Sequence, residues 1–465
     1  MEQNMTDPVL LQKLANKALA NGGEYADIFI EYRDTTALVQ EDGKLEKVVT
    51  GSEAGVGIRL IYNGRTAYAF SNNLSEDALN SAAAEVSAAA RGNSSNIVLD
   101  LAIRRPSMHF PIKELPSKTS LERKIGIVKK ADSAARAFDK RIRQVTAIYR
   151  DSVQKVQIAT SDGYIAQDDR VYTTAIVQVI AADGSVIQTG YEAAGGFIGF
   201  ELFEEYNIEE LSLKAAQRAV SMLSARTSPG GRMPVIISSS AGGTMIHEAI
   251  GHGLEADLAQ QGLSVFSGKL DCQVASKLIT VIDDATLPGK RGSLGFDDEG
   301  LPSRKTVLVE DGILRTYLYD RLTAMKDQTV STGNGRRESA RHWPIPRMTN
   351  TFIHPGTMRP GAIVASIDRG LLVTKMGGGQ VNTVTGDFVF DVQEGYLIEN
   401  GSAGDLVREA TLTGNGPLVL MSIDMVGDDL GFSIGTCGKD SQGVPVSDGM
   451  PTIRIPEIVV GGTCT

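Results

Sequence analysis

Cysteine and histidine are scarce in this chain of 465 residues, which has three of the first and five of the second. Cys272, Cys437 and Cys464 are odd in number and far apart, which argues against a disulfide framework and leaves each as a buried apolar residue or a ligand. Basic charge is also short: 46 Lys and Arg stand against 56 Asp and Glu, a formal net charge of −10. A broad nucleic-acid footprint needs the opposite balance. No apolar run reaches membrane-spanning length, and Met1-Glu2-Gln3-Asn4-Met5 has neither the basic nor the apolar region of a signal peptide. The expectation is a cytoplasmic protein with no nucleic-acid and no membrane partner.

What is present supports a large core. The chain is 42% hydrophobic and long enough for two or more domains. Asp7-Pro8 marks an N-cap with proline in the first turn, and helical period continues from Val9 to Asn21. Strand-like runs follow at 25–32, 44–49, 56–62 and 65–70, then an Ala-rich helix at 75–91. Pro106, Pro111 and Pro116 break periodicity between 92 and 121. A helix at 120–138, β-patterned runs at 142–149, 153–160, 172–181 and 186–193, and a helix at 208–225 form a second α+β unit or the rest of the first.

Thr227-Ser228-Pro229-Gly230-Gly231 is the best linker, dividing an N-terminal α+β domain, 1–226, from a β-rich C-terminal domain, 232–465. The N-terminal part is open to subdivision at 1–92 and 118–226. The C-terminal domain shows short strands at 278–282, 306–310, 313–319, 363–367, 371–375, 388–391, 395–399 and 453–460, with a short helix at 321–326. The fold class is α+β, with a histidine-bearing helix inside the β-rich part.

That helix is the run Thr244-Met245-Ile246-His247-Glu248-Ala249-Ile250-Gly251-His252-Gly253-Leu254-Glu255-Ala256-Asp257, with Thr244 as N-cap and helix formers as far as Leu258. Zinc-protease helices place two histidines four residues apart on one face, with a glutamate after the first. Here the spacing is five, and on a regular helix the two side chains diverge by about 140°. A π turn brings them back to within roughly 50°. Gly251, just before His252, offers the backbone freedom that makes such a bulge cheap. The spacing therefore excludes a shared ion or requires a distorted helix.

A zinc site needs a third protein ligand. Cys437, in Gly435-Thr436-Cys437-Gly438-Lys439, is the preferred candidate, because flanking glycines let the backbone bring a thiolate close to a helix. Glu255 and Asp257 compete as ligands or are solvated helix charges, and His342 and His354 are farther candidates. Asp297-Asp298-Glu299, between Gly292 and Gly300, forms a carboxylate cluster suited to a cation or a peptide amine, or simply a solvated acidic turn. Thr332-Gly333-Asn334-Gly335-Arg336-Arg337-Glu338 lacks the features of a phosphate loop and suits a packed loop. Gly377-Gly378-Gly379-Gln380 permits close backbone approach, either as a bulge or as an edge where a peptide adds as a strand.

His247-Glu248-Ala249-Ile250-Gly251-His252 resembles the H-E-x-x-x-H of the TldD/PmbA family. So do Ser331 to Ser339, Pro346-Arg347-Met348-Thr349-Asn350-Thr351, Gly377-Gly378-Gly379-Gln380-Val381 and the Cys437 segment. The likeness is to the TldD branch, since the TldE (PmbA) branch lacks the metal motif. The resemblance implies a zinc metalloprotease cutting small or unfolded peptides in an enclosed chamber, with a TldE-like partner; a homodimer stays open. It implies ligation by His247, His252 and Cys437, with Glu248 as general base. Two rivals are a non-catalytic subunit braced by the metal and a metal-dependent hydrolase of another bond, such as a phosphoester.

Overall fold

The computed structural model describes residues 6–91, 101–107 and 110–462, a mixture of helix and strand. Cys464 and part of the 92–121 segment lie outside the described residues. No helix among the described residues is long and apolar enough to cross a membrane.

The N-terminal strands are much longer than their hydrophobic runs. β1 (Tyr25–Glu41), β2 (Lys44–Tyr62), β3 (Arg65–Ser71), β4 (Ala102–Arg104), β5 (Ile142–Thr160), β6 (Tyr164–Asp183) and β7 (Val186–Phe197) make one sheet in the order β3-β2-β1-β5-β6. β4 and β7 share the outer edge of β6. The runs expected at 142–149 and 153–160 are a single strand, because Arg150, Asp151 and Ser152 continue the ladder opposite Ala37, Thr36 and Thr35. Backbone hydrogen bonds carry an antiparallel ladder across such polar residues whatever their side chains. β1 pairs with β5 from Asp27 opposite Thr160 to Glu41 opposite Thr146, so both groups of strands belong to one sheet.

Helices cover one face of that sheet. α1 (Pro8–Ala18) is capped by Asp7, α2 (Glu76–Ser87) by Ser75 and α3 (Leu121–Phe138) by Ser120, each side chain accepting a backbone N–H of the first turn. A further helix, Ile208–Leu223, is capped by Asn207. Strand alternation assigns the faces: Ile28 and Ile30 pack with Leu11, Leu14 and Leu79 of α1 and α2, while Phe29 between them meets Phe296 and Ala340 of the C-terminal half.

Buried ion pairs tie the second face to the C-terminal half. Arg59 lies 2.5 Å from Asp27 and 2.7 Å from Glu299, Arg170 lies 2.6 Å from Asp298, and Arg337 reaches back to Asp27. The Asp297-Asp298-Glu299 cluster is thus not a solvated turn. All three residues are buried: Arg59 of β2 offsets the charge of Glu299 and Arg170 of β6 that of Asp298, while Asp297 accepts the backbone N–H groups of Glu299, Leu301 and Gly335. Removing one partner of such a set costs about 3–5 kcal/mol, since it strands the other charge.

The C-terminal half is built on two large sheets and a two-stranded one, Gly335–Arg336 with Ile345–Pro346. In the first, Arg369–Val381, Gly231–Ile237, Ile453–Gly461, Ala410–Asn415 and Asp387–Glu399 are neighbours in turn, and the last pairs back with the first, closing a ring of five strands. The second has six strands and ends in Asn350–Ile353, Gln442–Met450 and Gly431–Lys439. One apolar core joins the two and includes Met245, Ile246, Ile250 and Leu254 of the histidine segment.

Some expected elements differ. Residues 363–367 are not a strand; the helix Pro360–Val364 starts with proline at N1, and Ile363 and Ile367, four apart, both turn inward. The strand expected at 313–319 stops at Leu314, where Arg315 N–H turns to Leu308 O. The linker is docked rather than free: Arg226–Thr227 pairs with Val407 and Arg408, and Ser228 is buried.

Candidate metal centre

Strand Gly231–Ile237 leads through Gly242, with φ of 81°, into the histidine segment. The segment is one turn of α-helix, Thr244–Ile246, then a π turn, His247–Gly251, then a 3-10 turn, His252–Leu254. The His252 N–H bonds His247 O, the i to i−5 closure that defines the π turn. Thr244 is the first helical residue and not the cap; Gly243 holds that position without a side-chain bond. The run to Leu258 is not one helix either, because Glu255 is extended and a separate helix, Ala256–Gln260, follows.

Gly251 is needed for a different reason from the one its sequence suggests. Its φ of −54° and ψ of −57° are open to any residue. A Cβ there would sit 2.2 Å from the Met348 sulfur, which is fully buried. Gly251→Ala is expected to lower stability by about 1–3 kcal/mol through overpacking. Urea denaturation of the metal-free protein checks this, and in a Met348→Ala background, where the sulfur is gone, the same Gly251→Ala change should cost less.

The π turn brings the two rings together. Their centroids are 4.9 Å apart with planes at 89°. Cys437 arrives from strand Gly431–Lys439, 185 residues after His252, and its Sγ lies 3.5 Å from His252 Nε2. One donor atom from each of His247, His252 and Cys437 lies within 4.8 Å of the others. A tetrahedral ion with ordinary Zn–N and Zn–S bonds spaces its donors by roughly 3.3–3.6 Å. Two imidazoles and a thiol, brought this close in a largely buried place, fit such an ion.

The outer nitrogens are held. His247 Nδ1 is 2.6 Å from Asp448 Oδ1, and His252 Nδ1 is 3.1 Å from Glu255 Oε2. Burial opposes a charge on either ring, yet Asp448 keeps His247 well above the usual imidazole range and Glu255 holds His252 up at about 10. Burial also opposes a Cys437 thiolate, but hydrogen bonds from both rings bring the thiol down to about 5. Glu248 is half-buried beside them and has no hydrogen-bond partner among the described residues; burial raises it, against the pull of His247 and His252.

Three family descriptions match the chain: PmbA/TldA metallopeptidase domain 1 over residues 26–90, the central domain over 114–223 and the C-terminal domain over 230–462. The chain belongs to the PmbA/TldD metallopeptidase family. A metalloprotease TldD homolog from Haemophilus influenzae is 36% identical over 95% of this chain and 93% of its own length. A zinc metalloprotease TldD homolog from Saccharolobus solfataricus is 28% identical over 97% and 99%. Among solved structures, a Thermotoga maritima protein has a TM-score of 0.81 at 24% identity, covering 98% of this chain and all of that one. TldE from Thermococcus kodakarensis has a TM-score of 0.76 at 19% identity, over 97% and 100%. These two show a shared fold.

Within this PmbA/TldD fold the other candidate residues fall outside the donor group. Glu255 and Asp257 are not solvated; both are paired with Lys439. His342 bonds Ser339, and the His354 ring lies on Pro355 O in an exposed loop. The loop from Thr332 to Arg337 is packed and buried. Asp448 carries no local mark of its role, standing in a Ser-Asp-Gly that suits a turn. Lys439 was visible only as the end of the cysteine motif, although on a strand it shares a face with Cys437.

Two cavities meet at the three donors. One, of about 580 Å³, runs between Tyr191 and Glu192 of β7, the Lys375 to Gly378 segment, and His247, Glu248 and Cys437. The other, of about 320 Å³, continues past His252 to Leu258, Val381 and Thr383. Glu248 lines both. Strand Arg369–Val381 pairs with Gly231–Ile237 only at Leu371, Leu372 and Val373, so beyond them one of its edges has no strand partner among the described residues.

Proposed function

We propose that this chain is a zinc-dependent peptidase in which His247, His252 and Cys437 hold the ion and Glu248 is the general base. The observation that carries the reading is the closeness of three soft or borderline donors beside a carboxylate that has no hydrogen-bond partner among the described residues. A zinc ion held there supplies Lewis acidity, polarising a carbonyl and acidifying water. Glu248 takes a proton from the attacking water and returns it to the leaving amine. The unpaired edge after Val373, with the cavities at either side, suits an extended peptide added as a strand. Gly379 keeps that strand close to its neighbour, since a Cβ there would sit 1.9 Å from the Phe390 ring. Such binding reads little sequence and favours small or unfolded peptides. The name of the Saccharolobus relative supports zinc, and the fold shared with TldE supports a partner of like architecture.

A purely bracing ion has no use for an uncommitted carboxylate, which favours catalysis over the non-catalytic reading. The test is peptide cleavage by the purified chain with and without a TldE-like subunit, alongside metal analysis. One zinc per chain, with cleavage abolished by a chelator and restored by zinc, is expected; chelator-insensitive cleavage overturns the reading.

The ion's affinity should depend on pH. Without metal, both rings are held protonated at neutral pH and Cys437 is a thiolate. Ligation needs neutral rings, so binding expels a proton from each ring, and raising the pH removes this competition. Between pH 6 and 8 the affinity should rise up to about a hundredfold per pH unit. Chelator competition at stepped pH reads the slope, and a flat profile contradicts the protonation pattern.

A further inference from the structure

We infer that Glu255 is a positioning residue for the metal centre: it fixes the His252 ring from behind and, through Lys439, fastens the strand that carries Cys437 to the turn that carries the imidazoles. The inference rests on the ligand set proposed above and adds a residue that ligates nothing. Glu255 is fully buried where the chain leaves the 3-10 turn. Leu318 pins the backbone on both sides of it, donating its N–H to Leu254 O at 2.8 Å and accepting the Ala256 N–H at 2.9 Å. From this anchored position Oε2 lies 3.1 Å from His252 Nδ1 and 3.1 Å from Lys439 Nζ.

The carboxylate is on the far side of the ring from the donors, because Cys437 Sγ is beside Nε2. A carboxylate on the outer N–H fixes a ring's tautomer and orientation and raises its basicity as a ligand. Lys439, two residues after Cys437, also reaches Asp257 Oδ1 at 2.7 Å and Pro346 O at 3.2 Å. Arg347, fully buried, donates to Cys437 O and has its Nε 4.0 Å from Glu255 Oε1. Two carboxylates and two cations thus cross from the helix to the strand, and only Glu255 touches a ring.

The experiment compares Glu255→Gln with Asp257→Asn in the full chain, using cobalt(II) and zinc(II). It reads affinity by chelator competition, the cobalt absorption bands and the melting temperature of the metal-free protein. Glu255→Gln should lose about 10–100-fold in affinity and shift the cobalt bands. Asp257→Asn should keep the bands of the unaltered chain. Should Glu255→Gln not fold, Glu255→Asp keeps the charge while drawing it back from the ring, and a loss of affinity with shifted bands is again expected. Unchanged affinity and bands in the Glu255 variant, even with a lowered melting temperature, overturn the proposal by leaving only a structural ion pair. An unaltered chain that binds neither ion overturns the ligand set and this inference together. One that binds metal but cuts no peptide overturns the peptidase reading alone.

Discussion

Replacing Glu248 with glutamine is expected to leave zinc bound and to lower peptide hydrolysis by about 10²–10⁴-fold, the usual worth of a general base. Glutamine keeps the size and hydrogen-bonding reach of the side chain but accepts no proton. Metal content should hold because Glu248 is outside the three-donor group. Burial raises its carboxyl toward the pH at which a base both is ionised and takes protons effectively. Single-turnover cleavage and metal analysis of the same preparation separate the outcomes. Cleavage at the normal rate would remove Glu248 from the chemistry, and loss of zinc along with activity would make it a ligand instead.

Replacing Cys437 with serine should lower zinc affinity by more than the roughly 10–100-fold that outer partners cost. The thiol, brought down to about 5, is already a thiolate at neutral pH, whereas a serine hydroxyl keeps its proton. The two rings alone cannot close a site that favours sulfur and nitrogen donors. Cys272→Ser, at the exposed cysteine, is the control and should bind as the unaltered chain does. Zinc content unchanged in the Cys437 variant would exclude the thiolate.

How legible the centre was depends on the range of each contact. A spacing of five between His247 and His252 either ruled out a shared ion or required a distorted helix, and the segment does form a π turn, a distinction that local helical geometry makes. The part of Gly251 was misjudged because its neighbour is Met348, which no local pattern connects to it. The helix start at Asp7 was legible through its cap, and those near Ser75 and Ser120 through their helical composition, the caps there being seen only in the structure. Strand lengths were not, since the partner strand and not the hydrophobic run decides where β5 ends. Asp297, Asp298 and Glu299 looked solvated because their arginines lie elsewhere in the chain. Asp448, 201 residues from His247, carries no local signal at all.

The distance along the chain between the rings and the sulfur also bears on how such a protein is made. During synthesis the helix leaves the ribosome long before strand Gly431–Lys439, which is held by Gln442–Met450, itself paired with Asn350–Ile353. Contacts of such long range wait for the late stages of folding. If the proposed ligand set holds, a nascent chain has no cutting centre while its own segments hang unfolded, and the means of self-digestion would be completed only after the sequence it would digest has been put away.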